Sequence, residues 1–175
     1  MALGGELREG EVLAALRDVE KTGRGAHIDC SMLGALLGFS ALQTSEYFGT
    51  GVPAKPLGSA HPRNAPYQAF DGSDRPFVIA AGNDKLWNDV CEAVGMPELF
   101  RDPRFSDQKS RAKNQGELAA LLQPAFATKP AREWMAEFDR RGVPCAPIHD
   151  FSEVLADPHV GHMGWVEPLA LPNGV

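Results

Sequence analysis

The chain has 175 residues, the size of one ordinary domain or two small ones. Hydrophobic residues make up 43% and charged residues 23%, enough for a packed core, which excludes wholesale disorder and a collagen-like or disulfide-dense scaffold. A formal net charge of −6 argues against bulk binding of nucleic acid or anionic membrane and leaves room only for a local basic pocket.

No apolar run approaches the roughly 18 residues of a membrane span. The longest, Met32–Phe39, is interrupted by Gly34 and Gly38. Met1–Gly10 carries no basic region followed by an apolar stretch, so no secretory leader is expected. Cys30, Cys91 and Cys145 are odd in number and lack metal-type spacing, and they read as reduced thiols of a cytoplasmic protein.

In chain order, Val12, Leu13, Leu16 and Val19 form an apolar stripe that predicts a helix over Leu7–Glu20, stopped by Gly23 and Gly25. Ala26–Cys30 reads as a short strand, and Ser31 as the cap of a mostly apolar helix reaching Phe48. Residues 49–66 hold Pro53, Pro56, Pro62 and Pro66 and predict a long irregular loop. Tyr67–Phe70 and Phe77–Ala81 read as a hairpin about the turn Asp71–Asp74. A helix capped by Asn83 or Asp84 follows, with Leu86, Trp87, Val90 and Val94 inward, ending at Gly95-Met96-Pro97. Pro97–Phe105 reads as a turn segment anchored by Leu99, Phe100 and Phe105.

Ser106–Phe126 is expected as one long helix, kinked or ended at Pro124. Pro130 opens another that ends before Gly142. Val143–Ile148 is an edge strand because Pro144 and Pro147 interrupt it. Phe151–Leu155 reads as a short helix capped by Asp150 or Ser152, and Trp165–Leu171 as a strand.

The most distinctive chemistry is Ala60-His61-Pro62-Arg63-Asn64-Ala65-Pro66-Tyr67, where prolines fix the backbone on both sides of a His-Arg-Asn group. Such a loop can meet phosphate or carboxylate through exposed N–H groups and an Arg. It can equally be a structural turn with solvated polar groups. His149, Asp150, Asp157, His159 and His162 cluster late in the chain, but Pro158 and Gly161 are expected to break the helical spacing that a His159/His162 metal pair needs, so no metal site is expected. Asp29-Cys30-Ser31 lacks the glycines of a nucleophile elbow, and Ser31 is better read as a cap. Trp87 and Trp134 are expected in the core, and Lys109, Arg111 and Lys113 on a solvated helix face. Neither a P-loop nor a GxGxxG pattern occurs.

Together these segments resemble the family III CoA-transferases, the superfamily of formyl-CoA transferase, carnitine CoA-transferase and acyl-CoA racemase. The resemblance is carried by Val12-Leu13-Ala14-Ala15-Leu16 with Thr22-Gly23-Arg24-Gly25, His27-Ile28-Asp29, Ser31-Met32-Leu33, Tyr47-Phe48, and Gly58 with His61-Pro62. Ala65-Pro66-Tyr67, Gly82-Asn83-Asp84, Asp102-Pro103-Arg104-Phe105, Glu133-Trp134, the Gly142–Pro147 stretch and Asp157-Pro158 continue it in family order. Ala26 and Gly34 depart from the Gln and Asp usual there.

The resemblance implies an α/β fold: a small domain with a short, mainly antiparallel sheet flanked by helices, plus connector helices from a Rossmann-like large domain. It places the connectors at residues 1–50, the small domain at 51–150 and a return segment at 151–175. It implies an interlocked homodimer, coenzyme A and acyl-CoA as substrates alongside a carboxylic acid, and no permanently bound cofactor. In the family an aspartate attacks the thioester and forms covalent intermediates. Its position falls at or just before Met1, so no catalytic residue is assigned in this chain, and the isolated chain is expected to be inactive. The family's glycine-rich lid corresponds to Gly58, Ser59, Ala60, His61 and Pro62, here with one glycine. Gly58, Ser59, Ala60, His61, Arg63 and Asn64 are the expected groups near acyl-CoA. A racemase fragment and a non-catalytic CoA-binding or dimerisation module stay open as alternatives.

Overall fold

The computed structural model describes residues 2–167 and divides the chain into two compact units, one up to Pro56 and the other from Leu57 onward. In the first unit, α1 spans Ala2–Thr22, α2 Met32–Phe39 and α3 Ala41–Thr50. Gly23, in the left-handed region, ends α1 by donating from its N–H to the Val19 carbonyl at 2.8 Å. Ser31 caps α2 as expected, its hydroxyl accepting from the Gly34 N–H at 3.1 Å.

Two expectations fail in this unit. Ala26–Cys30 forms no strand, because an extended segment becomes one only against a partner ladder and none of the described residues supplies it. The helix expected to run unbroken to Phe48 is interrupted at Ser40, whose hydroxyl bonds back to the Leu36 carbonyl at 2.8 Å. Neither α2 nor α3 buries a residue, although α2 is almost wholly apolar.

The second unit is built on an antiparallel sheet in the order β1 (Tyr67–Asp71), β2 (Pro76–Ala80), β3 (Cys145–Pro147). Phe70 lies opposite Phe77, and Ile79 opposite Cys145. The buried positions, Phe70, Phe77 and Ile79, face one side as the two-residue period requires. Onto that side pack α4 (Asp84–Ala93), α6 (Gln115–Phe126) and α7 (Ala131–Arg141) through Trp87, Val90, Leu122, Phe126, Trp134 and Phe138. Phe126 is the hub, with ring centroids 4.8–6.0 Å from Phe70, Phe77, Trp134 and Phe138. Its carbonyl accepts the Trp134 Nε1–H at 2.8 Å, so the indole is buried without losing its hydrogen bond.

The segment expected as one helix from Ser106 is two. α5 spans Gln108–Lys113, and the break falls at Asn114, whose side-chain amide reaches the Arg104 carbonyl at 2.9 Å. α6 passes through Pro124 and ends two residues later. Pro130 is the cap of α7 and precedes its first residue. The hairpin turn is held from outside: Asp74 accepts from the Ala131 N–H at 2.8 Å, and Ser73 donates to the Lys129 carbonyl. Gly72 sits so close that a Cβ there would lie 2.8 Å from the Ala131 nitrogen.

After β3, Asp150 and Glu153 form a reciprocal capping box on α8 (Phe151–Leu155). α9 (Pro158–Met163) does form, since Pro158 occupies a first-turn position where a missing N–H costs nothing, and this corrects the expectation that proline breaks helical geometry there. The expected strand over Trp165–Leu171 is not formed at Trp165–Glu167, and its remainder lies outside the described residues. Arg75 ties the hairpin to this end of the chain, bonding both Glu153 oxygens at 2.7 Å and the Ile148 carbonyl at 2.7 Å. That guanidinium pulls the Glu153 carboxyl down from 4.5 to about 2.

Phe126→Ala should lower unfolding stability by about 3–5 kcal/mol, read from urea denaturation. Because Glu153 titrates lower when folded, its contribution is complete above about pH 4.5 and is lost as pH falls toward about 2. Glu153→Gln should therefore flatten the stability profile in that window and leave its shape at neutral pH unchanged.

Candidate functional site

The expected site residues lie on the loop that leads into β1. Gly58 takes φ +63°, a conformation that side chains resist, and Ala60 closes the turn by donating to the Leu57 carbonyl at 3.1 Å. Ser59 Oγ accepts the Ala69 N–H at 3.1 Å and fastens the loop to β1. The His61 N–H donates to the Tyr67 carbonyl at 2.9 Å, so chain entering the loop is tied to chain leaving it.

His61 organises the turn that follows. Its Nδ1 accepts from the backbone N–H groups of both Arg63 and Asn64, each at 3.1 Å. Its ring stacks on Tyr67 at 5.1 Å with an interplanar angle of 6°. Asn64 turns the other way and accepts from the Gln108 amide at its Oδ1. The peptide from Ala65 to Pro66 is cis, and the Pro66 carbonyl receives the Ala81 N–H at 2.8 Å.

Beneath the loop lies Arg111, expected on a solvated face and in fact fully buried. Its Nε donates to the Ala65 carbonyl at 2.9 Å, one terminal nitrogen to the Phe105 carbonyl at 3.2 Å, and the other to Gly82 and to Asp84 Oδ1 at 2.9 Å. The guanidinium carbon sits 5.9 Å from the Trp87 ring centroid. One sequence signal pointed this way. On a helix, residues two apart lie about 200° apart, so Lys109 and Lys113 share a face from which Arg111 is turned away.

Beside the loop runs an open groove of about 570 Å³, lined by Pro62, Arg63, Asp84, Asp107, Gln108 and Lys109. The two carboxylates are already engaged: Asp84 by Arg111, and Asp107 by the Ser110 N–H and hydroxyl, which hold its carboxyl below the usual range. Of the six expected site residues, Arg63 lines the groove, His61 and Asn64 shape the turn, and Gly58, Ser59 and Ala60 carry the approach. Tyr67, Gln108, Lys109 and Arg111 complete the neighbourhood.

The site offers no activated thiol. Burial pushes Cys91 up to about 12, and burial with the nearby Asp139 carboxylate pushes Cys145 up to about 11. Among the described residues no group of three or more His, Cys, Asp or Glu side chains is placed to hold a metal ion. Within the same residues no helix is long and apolar enough to cross a membrane. What the arrangement presents is a braced backbone beside a groove that carries Arg63 and Lys109 with Asp84 and Asp107.

A family model described as CoA-transferase family III matches residues 2–175. An acetyl-CoA:oxalate CoA-transferase from Acetobacter aceti is 39% identical over 81% of this chain and 36% of its own length. A human succinyl-CoA:glutarate CoA-transferase is 32% identical over 94% of this chain and 37% of its own length. The crystal structure of a CAIB/BAIF family protein from Brucella suis superposes with a TM-score of 0.76 at 34% identity, over 93% of this chain and 43% of that one. The chain thus spans well under half the length of the relatives it matches.

Arg111→Met should cost about 3 kcal/mol in chemical denaturation, since it strands buried carbonyl groups. Amide hydrogen exchange at Ala81 and through residues 61–67 should accelerate with it. Arg111→Lys should recover only part of both effects, as one ammonium cannot span the same acceptors.

Proposed function

The chain belongs to CoA-transferase family III, and on that premise we propose that it is part of an enzyme that moves coenzyme A between carboxylic acids. The family match over residues 2–175 carries this reading, with relatives whose names are those of CoA-transferases. The covalent steps run through an aspartyl intermediate whose nucleophile is not among these residues.

In this reading residues 1–50 are connector helices, 51–150 the small domain and 151–175 a return segment. The unburied apolar surfaces of α2 and α3 support a packing partner outside this chain, which an interlocked homodimer would supply. Gly58, Ser59, Ala60, His61, Arg63 and Asn64 border the acyl-CoA, with substrate and no resident cofactor bound. A cytoplasmic setting agrees with thiols kept reduced. Oxalate and glutarate in the relatives' names make dicarboxylates the first acceptors to try.

The test compares the 175 residues alone with the same chain extended upstream to the length of its relatives, each given acetyl-CoA and oxalate or succinyl-CoA and glutarate. CoA exchange is expected only from the extended chain. Turnover by the 175 residues alone overturns the missing nucleophile, and an extended chain inactive on both pairs counts against the transferase reading. Sub-millimolar CoA binding by the short chain in calorimetry, with no exchange by either, supports a binding module instead.

A further inference from the structure

The His61 ring is fixed in two respects, its orientation and the nitrogen that carries its proton. Nδ1 accepts two backbone N–H groups at 3.1 Å, and a ring nitrogen that accepts cannot also carry hydrogen. Neutral imidazole has one proton, so it sits on Nε2. Flipping the ring would turn a carbon toward the two amides. Tilting it would break the near-parallel stack on Tyr67. Pro62 and Pro66 restrict the backbone on either side.

Nε2 makes no hydrogen bond to any described residue and is not among the buried polar atoms left without a partner, so it keeps some access to solvent. A groove nearby is lined by Arg63 and Lys109 together with the carboxylates Asp84 and Asp107. A ring N–H with solvent access and no partner in the chain suits an anionic oxygen.

We propose that His61 is a fixed-tautomer hydrogen-bond donor, its Nε2–H meeting a carboxylate or acyl oxygen of the substrate. This rests on the reading that the loop borders the acyl-CoA site. In this state the ring holds an oxygen, or steadies one gaining negative charge, and takes no proton from substrate. Arg63 and Asn64 serve it through their backbone amides, as positioning groups.

The tautomer is read in the 15N-labelled 175-residue chain by two-bond proton–nitrogen correlation, with Nδ1 expected bare and Nε2 protonated. The reverse tautomer, or an even mixture, overturns the proposal. Binding is read by titrating oxalate at constant ionic strength and following the His61 ring and the Arg63 and Asn64 amides. His61→Asn puts an amide oxygen near the place of Nδ1, as in an Asx turn, without the Nε2 donor. It should keep both amides protected from exchange yet bind oxalate at least about tenfold more weakly, the loss of one hydrogen bond to a charged group.

His61→Gln should show the converse, exposed amides with part of the oxalate affinity restored. Oxalate affinity unchanged in His61→Asn, or no oxalate response from the parent chain, overturns the donor role. These readouts need no turnover, so they separate from the exchange assay on the extended chain, whose failure counts against the transferase reading itself.

Discussion

The second unit depends on one buried guanidinium. Arg111 draws together carbonyls from three stretches distant in sequence: Ala65 at the end of the loop, Gly82 before α4, and Phe105 before α5. Desolvating a cation is costly, and such a group survives only where its donors are nearly all satisfied. The Asp84 side chain, which pairs with it, is itself 62% exposed. Much of the compensation therefore falls on the backbone carbonyls and the Trp87 face. That makes the arrangement specific: carbonyls at fixed distances and directions must be present together, which an apolar side chain of equal size would not demand.

This polar anchor and the aromatic core divide the work. Phe126 and its neighbours supply the bulk of apolar burial and fasten the sheet to α6 and α7. Apart from Ala65, which joins that core, they do not fix where the loop lies. Arg111 at Ala65, Ser59 at Ala69, His61 at Tyr67 and Pro66 at Ala81 do that, with four ties within one short run. A loop held so closely presents a preset surface, and its single glycine serves one turn. A surface fixed in this way needs little ordering when a ligand arrives.

The features legible in the sequence are those decided within a few residues. Ser31, Asn83 and Asp150 cap the helices they precede because a side-chain oxygen three residues upstream of an N–H is local chemistry. The hairpin is legible because alternation and a Gly-containing turn agree. The break at Asn114 was not, since its cause is the distant Arg104 carbonyl. Ala26–Cys30 has a strand's composition but no neighbour, and pairing is not a property of a single segment. Arg111 was read with Lys109 and Lys113 as one solvated face although its spacing turns it away from them, and only the converging carbonyls say what it does when buried. For the site, the loop was legible as a proline-fixed group of polar residues, whereas the direction of each side chain came from partners as far away as Gln108.

The electrostatics of the second unit indicate what sort of chemistry it can take part in. Active-site acids and bases are tuned toward neutrality, by burial or by like charges nearby. Here the displaced carboxyls Asp74, Asp102, Asp107, Glu137, Asp150 and Glu153 all move down, held by arginines and by backbone or hydroxyl donors. Cys91 and Cys145 move up, into the range where a thiol stays protonated. Both directions favour the resting charge state at neutral pH, with the carboxyls ionised and the thiols protonated. These displaced groups serve to hold turns, helix starts and the hairpin.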